Sequence, residues 1–276
     1  VSMKSKILGK VSEAKIKNEY KNVFNGISLD ISDAEAEQVK KIPGVKRVSP
    51  NYIVNATLMD SVPLINADDV WQMDKNMQQC NDADDNPEND CLTGKGIKIA
   101  IIDTGIDYTH PDLGGCFGQG CKVEGGYDIV NDNDPMDDNG HGTHGAGIAA
   151  GNGALKGGAP DAKLYAYKVL GSDGNGNMGL VTAGIERAVD PNQDGNFDDK
   201  VDIISMSLGG SGDPDDSASL AVDNAVANGI VAVIAAGNSG PYRYTIGSPG
   251  TARKAITIGA TDKQDLIASF SSRGPV

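Results

Sequence analysis

The sequence is short of aromatics, with one tryptophan and four phenylalanines in 276 residues, and has no run near the roughly 18 uncharged apolar residues that a membrane helix needs. That argues against a helical membrane span and for a soluble chain. The lysine-rich N-terminus lacks an apolar stretch, so it is not an intact signal peptide, and any such leader is expected to have been removed. Cysteine is limited to four residues in two close pairs, Cys80 with Cys91 and Cys116 with Cys121. Neither pair is spaced as C-x-x-C and both lie in Gly/Asp-rich loops, which favours two local disulfides in an oxidising, extracellular setting over a metal–thiolate site.

Positive charge is also scarce. Against 38 Asp and Glu stand 24 Lys and Arg, a net charge of −14. An acidic surface repels phosphate and so disfavours nucleic acid as a partner. Residues 1–57 hold ten Lys/Arg and six Asp/Glu, a balance of +4, while the other 219 residues hold fourteen and thirty-two, a balance of −18. A small basic piece ahead of a large acidic one invites docking between them. What is abundant is glycine, 36 residues, which implies many tight turns and close backbone approaches.

Two domains are expected, 1–57 and 58–276. The first reads as a small α+β unit in ferredoxin-like βαββαβ order: a strand over 4–11, a helical stretch to Lys21, a strand over 23–31, a helix over 32–41 and a strand over 45–54. Ser32 with Glu35 makes a capping box, and Pro43-Gly44 stops the helix. After Asn55 comes a linker, then apolar runs at 97–103, 162–169, 201–207, 230–235 and 255–258, alternating with helices that begin near Gly142, Gly179 and Ser217. Strands that are apolar throughout are covered on both faces, so the second domain is expected to be α/β: a three-layer parallel sheet flanked by helices. In such sheets ligands collect at the carboxyl ends of strands, where Asp103, Ser207 and Asn238 fall.

Three segments carry candidate chemistry. Asp103 ends an apolar strand before a Thr-Gly turn; a carboxylate there can hold a histidine ring in one tautomer, or simply cap the turn. His141 opens a glycine- and alanine-rich helix, fixed yet exposed as a general base must be. His144, three residues on, suggests an H-x-x-H metal pair, but the zincin glutamate is absent, and it reads instead as a packing or hydrogen-bonded residue; His110, before Pro111, reads as a turn residue. Asn238, delivered by an apolar strand into a glycine-flanked turn, can donate an amide N–H to an oxyanion.

Two loops suggest calcium. Asp190, Asn192, Asp194 and Asn196 alternate with glycine at the sixth position of the run, like the first half of an EF-hand loop; Val201 replaces the closing glutamate, so closure falls to Asp198, Asp199 or Asp202. Asp82, Asp84 and Asn86 alternate between Cys80 and Cys91 as a second candidate.

Taken together, Ile101-Ile-Asp-Thr-Gly-Ile-Asp-Tyr-Thr-His-Pro-Asp-Leu113, Asn139-Gly-His-Gly-Thr-His144, Ser205-Met-Ser-Leu-Gly-Gly210, Ala235-Ala-Gly-Asn-Ser-Gly240 and Phe270-Ser-Ser-Arg-Gly-Pro275 resemble the subtilisin-like serine peptidases, in the family's order. Residues 1–57 resemble the family's inhibitory propeptide. The resemblance implies a secreted endopeptidase zymogen acting on proteins or peptides, with calcium as a structural ion. It makes Asp103 the triad carboxylate, His141 the general base and Asn238 the oxyanion donor. Ser207, Leu208 and Gly209 would form one edge of the substrate cleft, and the segment with Asp173, Gly174 and Gly176 the other, with the prodomain tail near 52–58 along it and self-cleavage between Asn55 and Asp60. The family's nucleophile sits in a Gly-Thr-Ser-Met-Ala-like turn that these residues do not contain. The expectation is therefore a truncated or processed piece, whose remainder is a separate chain in the second case, inactive by itself. The alternatives are a natural pseudo-enzyme and, from another class, a non-catalytic, calcium-stabilised peptide-binding protein.

Overall fold

The computed structural model describes residues 3–11, 14–21, 24–49, 53–56, 65–81, 90–131, 134–262 and 264–276. It opens with α1 (Met3–Leu8), β1 (Lys15–Tyr20), β2 (Gly26–Asp30) and α2 (Asp33–Val39), with β1 and β2 paired antiparallel. The α+β character matches expectation, but the first strand and first helix exchange places. Met3, Ile7, Leu8 and Val11 recur at helical spacing and join one small core with Val39 and Ile42. In β1 the burial alternates residue by residue to the buried Tyr20, so Lys15, Lys17 and Glu19 are the solvent side of a strand. Lysine content suggested a helix there, and periodicity decided otherwise. Ser32 caps α2 through the expected reciprocal box with Glu35. Residues 45–49 form no strand; the extended element that follows is β3 (Ile53–Ala56).

The larger part contains α3 (Ala67–Val70), β4 (Lys98–Asp103), a 3-10 turn (Pro111–Leu113), β5 (Val123–Asp128), α4 (His141–Ala150), β6 (Lys163–Lys168), β7 (Asn175–Asn177), α5 (Met178–Val189), β8 (Ile203–Met206), β9 (Leu208–Gly209), α6 (Ser217–Ala227), β10 (Val231–Ala235) and β11 (Ile256–Ile258). Six strands form one parallel sheet in the order β11-β10-β8-β4-β6-β5. Chain order runs outward from β4 to one side and then returns past it to β8, so β4 is the switch point where a crevice opens at the strand ends. Alternate residues of β4 serve opposite layers. Ala100 and Ile102 join the core with α5 and α6, while Ile99 and Ile101 pack with Ala146 and Ala150 of α4. At Gly184 of α5 an added Cβ would lie 2.8 Å from Val169 and 2.9 Å from Ile102, so this helix sits close on the sheet because a glycine stands there. Sequence reasoning missed β5, whose Gly125-Gly126 pair and charged Glu124 hide an edge strand.

The small unit docks on this sheet domain. The Tyr20 hydroxyl donates to the Gly179 carbonyl at 2.6 Å. Both oxygens of the Glu186 carboxylate take up backbone N–H groups of the β1–β2 connection, Lys21 at 3.2 Å and Phe24 at 2.7 Å. Arg47 reaches Asp213 at 3.1 Å and Asp215 at 3.5 Å, which realises the charge complementarity of the two pieces. Among the described residues no helix is long and apolar enough to cross a membrane.

Burial pushes the Tyr20 phenol up to about 12 from 10.0. A value raised by docking means a contribution fully present below pH 10 and lost as pH rises through 12. Denaturant midpoints of the whole chain should therefore fall between pH 10 and 12, and Tyr20→Phe should reduce that fall; an equal fall in both would refute the assignment.

Candidate active site

Asp103 ends the central strand and His141 begins α4, and the two meet. Both carboxylate oxygens of Asp103 lie against His141 Nδ1, at 2.8 and 3.0 Å, and the side chains are almost fully buried. A carboxylate oxygen can only accept, so Nδ1 carries the ring proton and, in the neutral imidazole, Nε2 is left as the basic nitrogen. Asp103 Oδ1 also accepts from the Thr104 N–H at 2.7 Å, which fixes the carboxylate plane.

This meeting needs a helix that starts in contact with a strand end. An ideal Cβ built on Gly142 would stand 2.1 Å from the Gly105 carbonyl oxygen and 3.2 Å from Asp103 Cβ. Only glycine allows α4 to approach that far, and it is the residue directly after the histidine.

The other expected groups lie along the same edge of the sheet. β8 neighbours β4, and β10 neighbours β8, all parallel, so Ser207-Leu208-Gly209 and Asn238 emerge beside Asp103. Asn238 is exposed in a turn held from behind by the 270–272 segment: Ser239 N–H donates to Ser272 Oγ at 3.0 Å, Ser272 N–H to the Gly237 carbonyl at 2.9 Å, and Gly240 N–H to the Phe270 carbonyl at 2.9 Å. The Phe270–Pro275 motif thus has a structural task, bracing the Asn238 turn, that its local sequence does not reveal.

β3 lies antiparallel between β7 and β9 in a separate three-stranded sheet, with Val54 opposite Gly176 and Ala56 opposite Leu208. β3 is thus flanked by Asn175–Asn177 on one side and Leu208–Gly209 on the other. Asp173 and Gly174 form the turn leading into β7, with Asp173 Oδ1 accepting from Asn175 N–H at 3.0 Å and Gly174 N–H donating to the Gly171 carbonyl at 2.9 Å. Ser207 falls between β8 and β9, outside the ladder.

The remaining candidates separate. His110 Nδ1 accepts from Asp112 N–H at 3.2 Å in the 3-10 turn. His144 is exposed on α4, not packed, because the apolar face of that helix is formed by Ala146 and Ala150. Both cysteine pairs are joined, Cys80 to Cys91 and Cys116 to Cys121. In the 190–199 loop acidic and amide side chains receive nearby backbone N–H groups: Gly195 to Asp190 Oδ2 at 3.0 Å, Asp194 to Asn192 at 2.8 Å, Asn196 to Asp194 at 2.7 Å and Asn192 to Asp199 Oδ2 at 3.2 Å. Asp199 Oδ1 is buried with no hydrogen-bond partner. No group of three or more His, Cys, Asp or Glu among the described residues gathers into a metal cage. The second loop, with Asp82, Asp84 and Asn86, lies outside the described residues.

Comparison with known proteins places these observations. The profile described as Subtilase family matches residues 94–276, and that described as Peptidase inhibitor I9 matches residues 2–57. The minor extracellular protease Vpr of Bacillus subtilis (strain 168) is 42% identical over 94% of this chain and 32% of its own length. Serine protease AprX of the same strain is 37% identical over 99% of this chain and 61% of its own. Subtilisin E, also of that strain, is 42% identical over 66% of the chain and 45% of its own. The chain therefore spans about a third of the length of the first of these relatives and about three fifths of the second.

Gly142→Ala should push α4 away from Gly105. The resonance of the proton between His141 Nδ1 and Asp103 is expected to shift or disappear in the NMR spectrum; an unchanged signal would contradict the close-approach account.

Proposed function

The chain belongs to the subtilase family, and from that premise we propose that residues 58–276 are catalytic domain of a secreted serine endopeptidase and residues 1–57 its inhibitory prodomain, together a zymogen acting on protein substrates. The observation that carries this reading is the Asp103–His141 pair at the head of a cleft whose two edges already hold an extended segment of the chain. The disulfides and the word extracellular in the name of one relative support secretion.

In this mechanism His141 Nε2 takes the proton of a serine hydroxyl as its oxygen attacks the substrate carbonyl carbon. Asp103 holds the ring and stabilises the imidazolium. The negative charge gathers on the carbonyl oxygen, where the Asn238 amide and a backbone N–H hold it. His141 then returns the proton to the departing amine, and water releases the acyl group by the same steps. The serine belongs to a Gly-Thr-Ser-Met-Ala-like segment that is not among these 276 residues.

Substrate would replace β3. Backbone pairing with Asn175–Asn177 and Leu208–Gly209 reads an extended chain before it reads side chains, so tolerance of many sequences follows. Ser207 and the Asp173-Gly174 turn frame these edges. Occupation of the cleft by the prodomain's own tail accounts for inhibition, and self-cleavage falls between Asn55 and Asp60, mostly beyond the described residues. Glu186 and Tyr20 hold the prodomain in that pose.

A structural calcium ion fits the 190–199 loop, where Asp190, Asn192, Asp194 and Asp199 would supply the oxygens a hard cation prefers, Asp199 Oδ1 among them. Bound only by the folded state, it would raise stability.

Two experiments test these assignments. The full-length protein should take up a serine-directed fluorophosphonate label and hydrolyse a peptide, and His141→Ala should lower kcat by about 10⁴ or more. Absence of labelling would leave the peptide-binding reading. A calcium chelator should lower the melting temperature by several degrees, and Asp199→Asn should remove most of that response; an unchanged melt would dismiss the ion.

A further inference from the structure

Thr104 is completely buried, and every polar atom it owns is engaged with the surroundings of the Asp103–His141 pair. Its N–H donates to Asp103 Oδ1 at 2.7 Å. Its carbonyl accepts from the buried Lys168 ammonium at 2.7 Å, which also reaches Asp138 at 2.5 Å and the Leu170 carbonyl at 3.0 Å. Its hydroxyl accepts from the Gly142 N–H at 2.8 Å and donates to Asp137 Oδ1 at 2.9 Å. Gly142 directly follows the base, so one hydroxyl ties the first turn of α4 to the residue after the carboxylate.

Asp137 completes the clamp. Its Oδ1 also accepts from the Asn139 and Gly140 N–H groups, both at 2.9 Å, and its Oδ2 from the Thr143 N–H at 2.9 Å and the Thr143 hydroxyl at 2.5 Å. Thr143 Oγ1 in turn accepts from the Asp107 N–H at 2.8 Å. Of the N–H groups that α4 leaves open at its start, this one carboxylate therefore satisfies those of Gly140 and Thr143, while Asn139 Oδ1 takes that of His141 at 3.2 Å and the Thr104 hydroxyl that of Gly142; together they do the task of an N-cap, although the residue at the cap position itself, Gly140, has no side chain to do it. Burial alone would raise the Asp137 carboxyl, but the hydrogen bonds from Gly140, Thr143 and Asn139 hold it below the ordinary carboxylate value, so it stays an acceptor at neutral pH.

We propose that Thr104, through its hydroxyl and with Asp137 as its anchor, is a positioning residue that sets the distance between Asp103 and His141. Neither side chain reacts. The hydroxyl is the only side-chain bond running from the Asp103 loop to the helix backbone beside His141 among the described contacts, and a misplacement of about 1 Å in such a pair costs about 10²-fold in rate. This inference rests on the peptidase reading above for its kinetic arm, but not for its spectroscopic one.

The test compares Thr104→Val, which keeps the shape and removes the hydroxyl, with Thr104→Ser, which keeps the hydroxyl, both in the full-length protein. The valine variant should lower kcat by about 10- to 100-fold with KM nearly constant, and should displace the His141 Nδ1 proton resonance; the serine variant should recover both. Normal kcat and resonance in the valine variant would overturn the proposal, as would equal losses in both variants, which would mean packing and not the hydroxyl. Should the valine variant fail to fold, Asp137→Asn decides on the same readouts, because its amide turns one acceptor toward donors, and unchanged readouts there would also overturn it. If the wild type neither labels nor hydrolyses peptide, the peptidase reading fails, while the resonance still judges the clamp.

Discussion

The contact between the start of α4 and the end of β4 is the constraint on which the site depends. Two backbones approach until only a hydrogen fits between Gly142 and the Gly105 carbonyl. From that contact follow the Asp103–His141 bond, the orientation of the ring and the Thr104–Asp137 links that keep helix and strand in register. The sheet supplies the rest by being parallel. Strands β4, β8 and β10 all end on one side, so groups more than a hundred residues apart in sequence share one edge.

Placing polar groups in a buried setting is costly unless each is satisfied, and here the satisfaction is nearly complete. Asp103, Thr104 and Lys168 are all at most 2% exposed, yet each is bound to neighbours that belong to the same strand-end loops. The outcome is a rigid strand-end edge in which the Asp103–His141 pair is fixed. The cleft beside it is built differently, from strands of two to four residues that gain an ordered sheet only with β3 between them. Short strands leave room for exchange, as the proposed replacement of β3 by substrate requires.

Much of the candidate site could be read from residues in order. Asp103, His141 and Asn238 each stand where an apolar strand or a glycine-rich helix presents them, and the parallel sheet was visible in uniformly apolar runs. Other parts were not visible for physical reasons. In 3–20 the lysines masked the periodicity that separates a helix from a strand. β5 escaped notice because an edge strand can carry glycines that a central strand would not. Asp137 reads as one acidic turn residue among several, since nothing local tells that its carboxylate will collect five donors from both sides of the helix start.

The sequence by itself determined the two-part organisation, the charge contrast, the cysteine pairs and the identity of the polar groups at the strand ends, because these depend on local pattern and composition. The tertiary structure alone decided which of those groups meet. The pairing of Ile53–Ala56 between Asn175–Asn177 and Leu208–Gly209, the hold of Glu186 on the β1–β2 connection and the Thr104–Gly142 link join residues 38 to 165 positions apart. Such contacts arise from the path of the chain around β4, and no periodicity along the sequence encodes them.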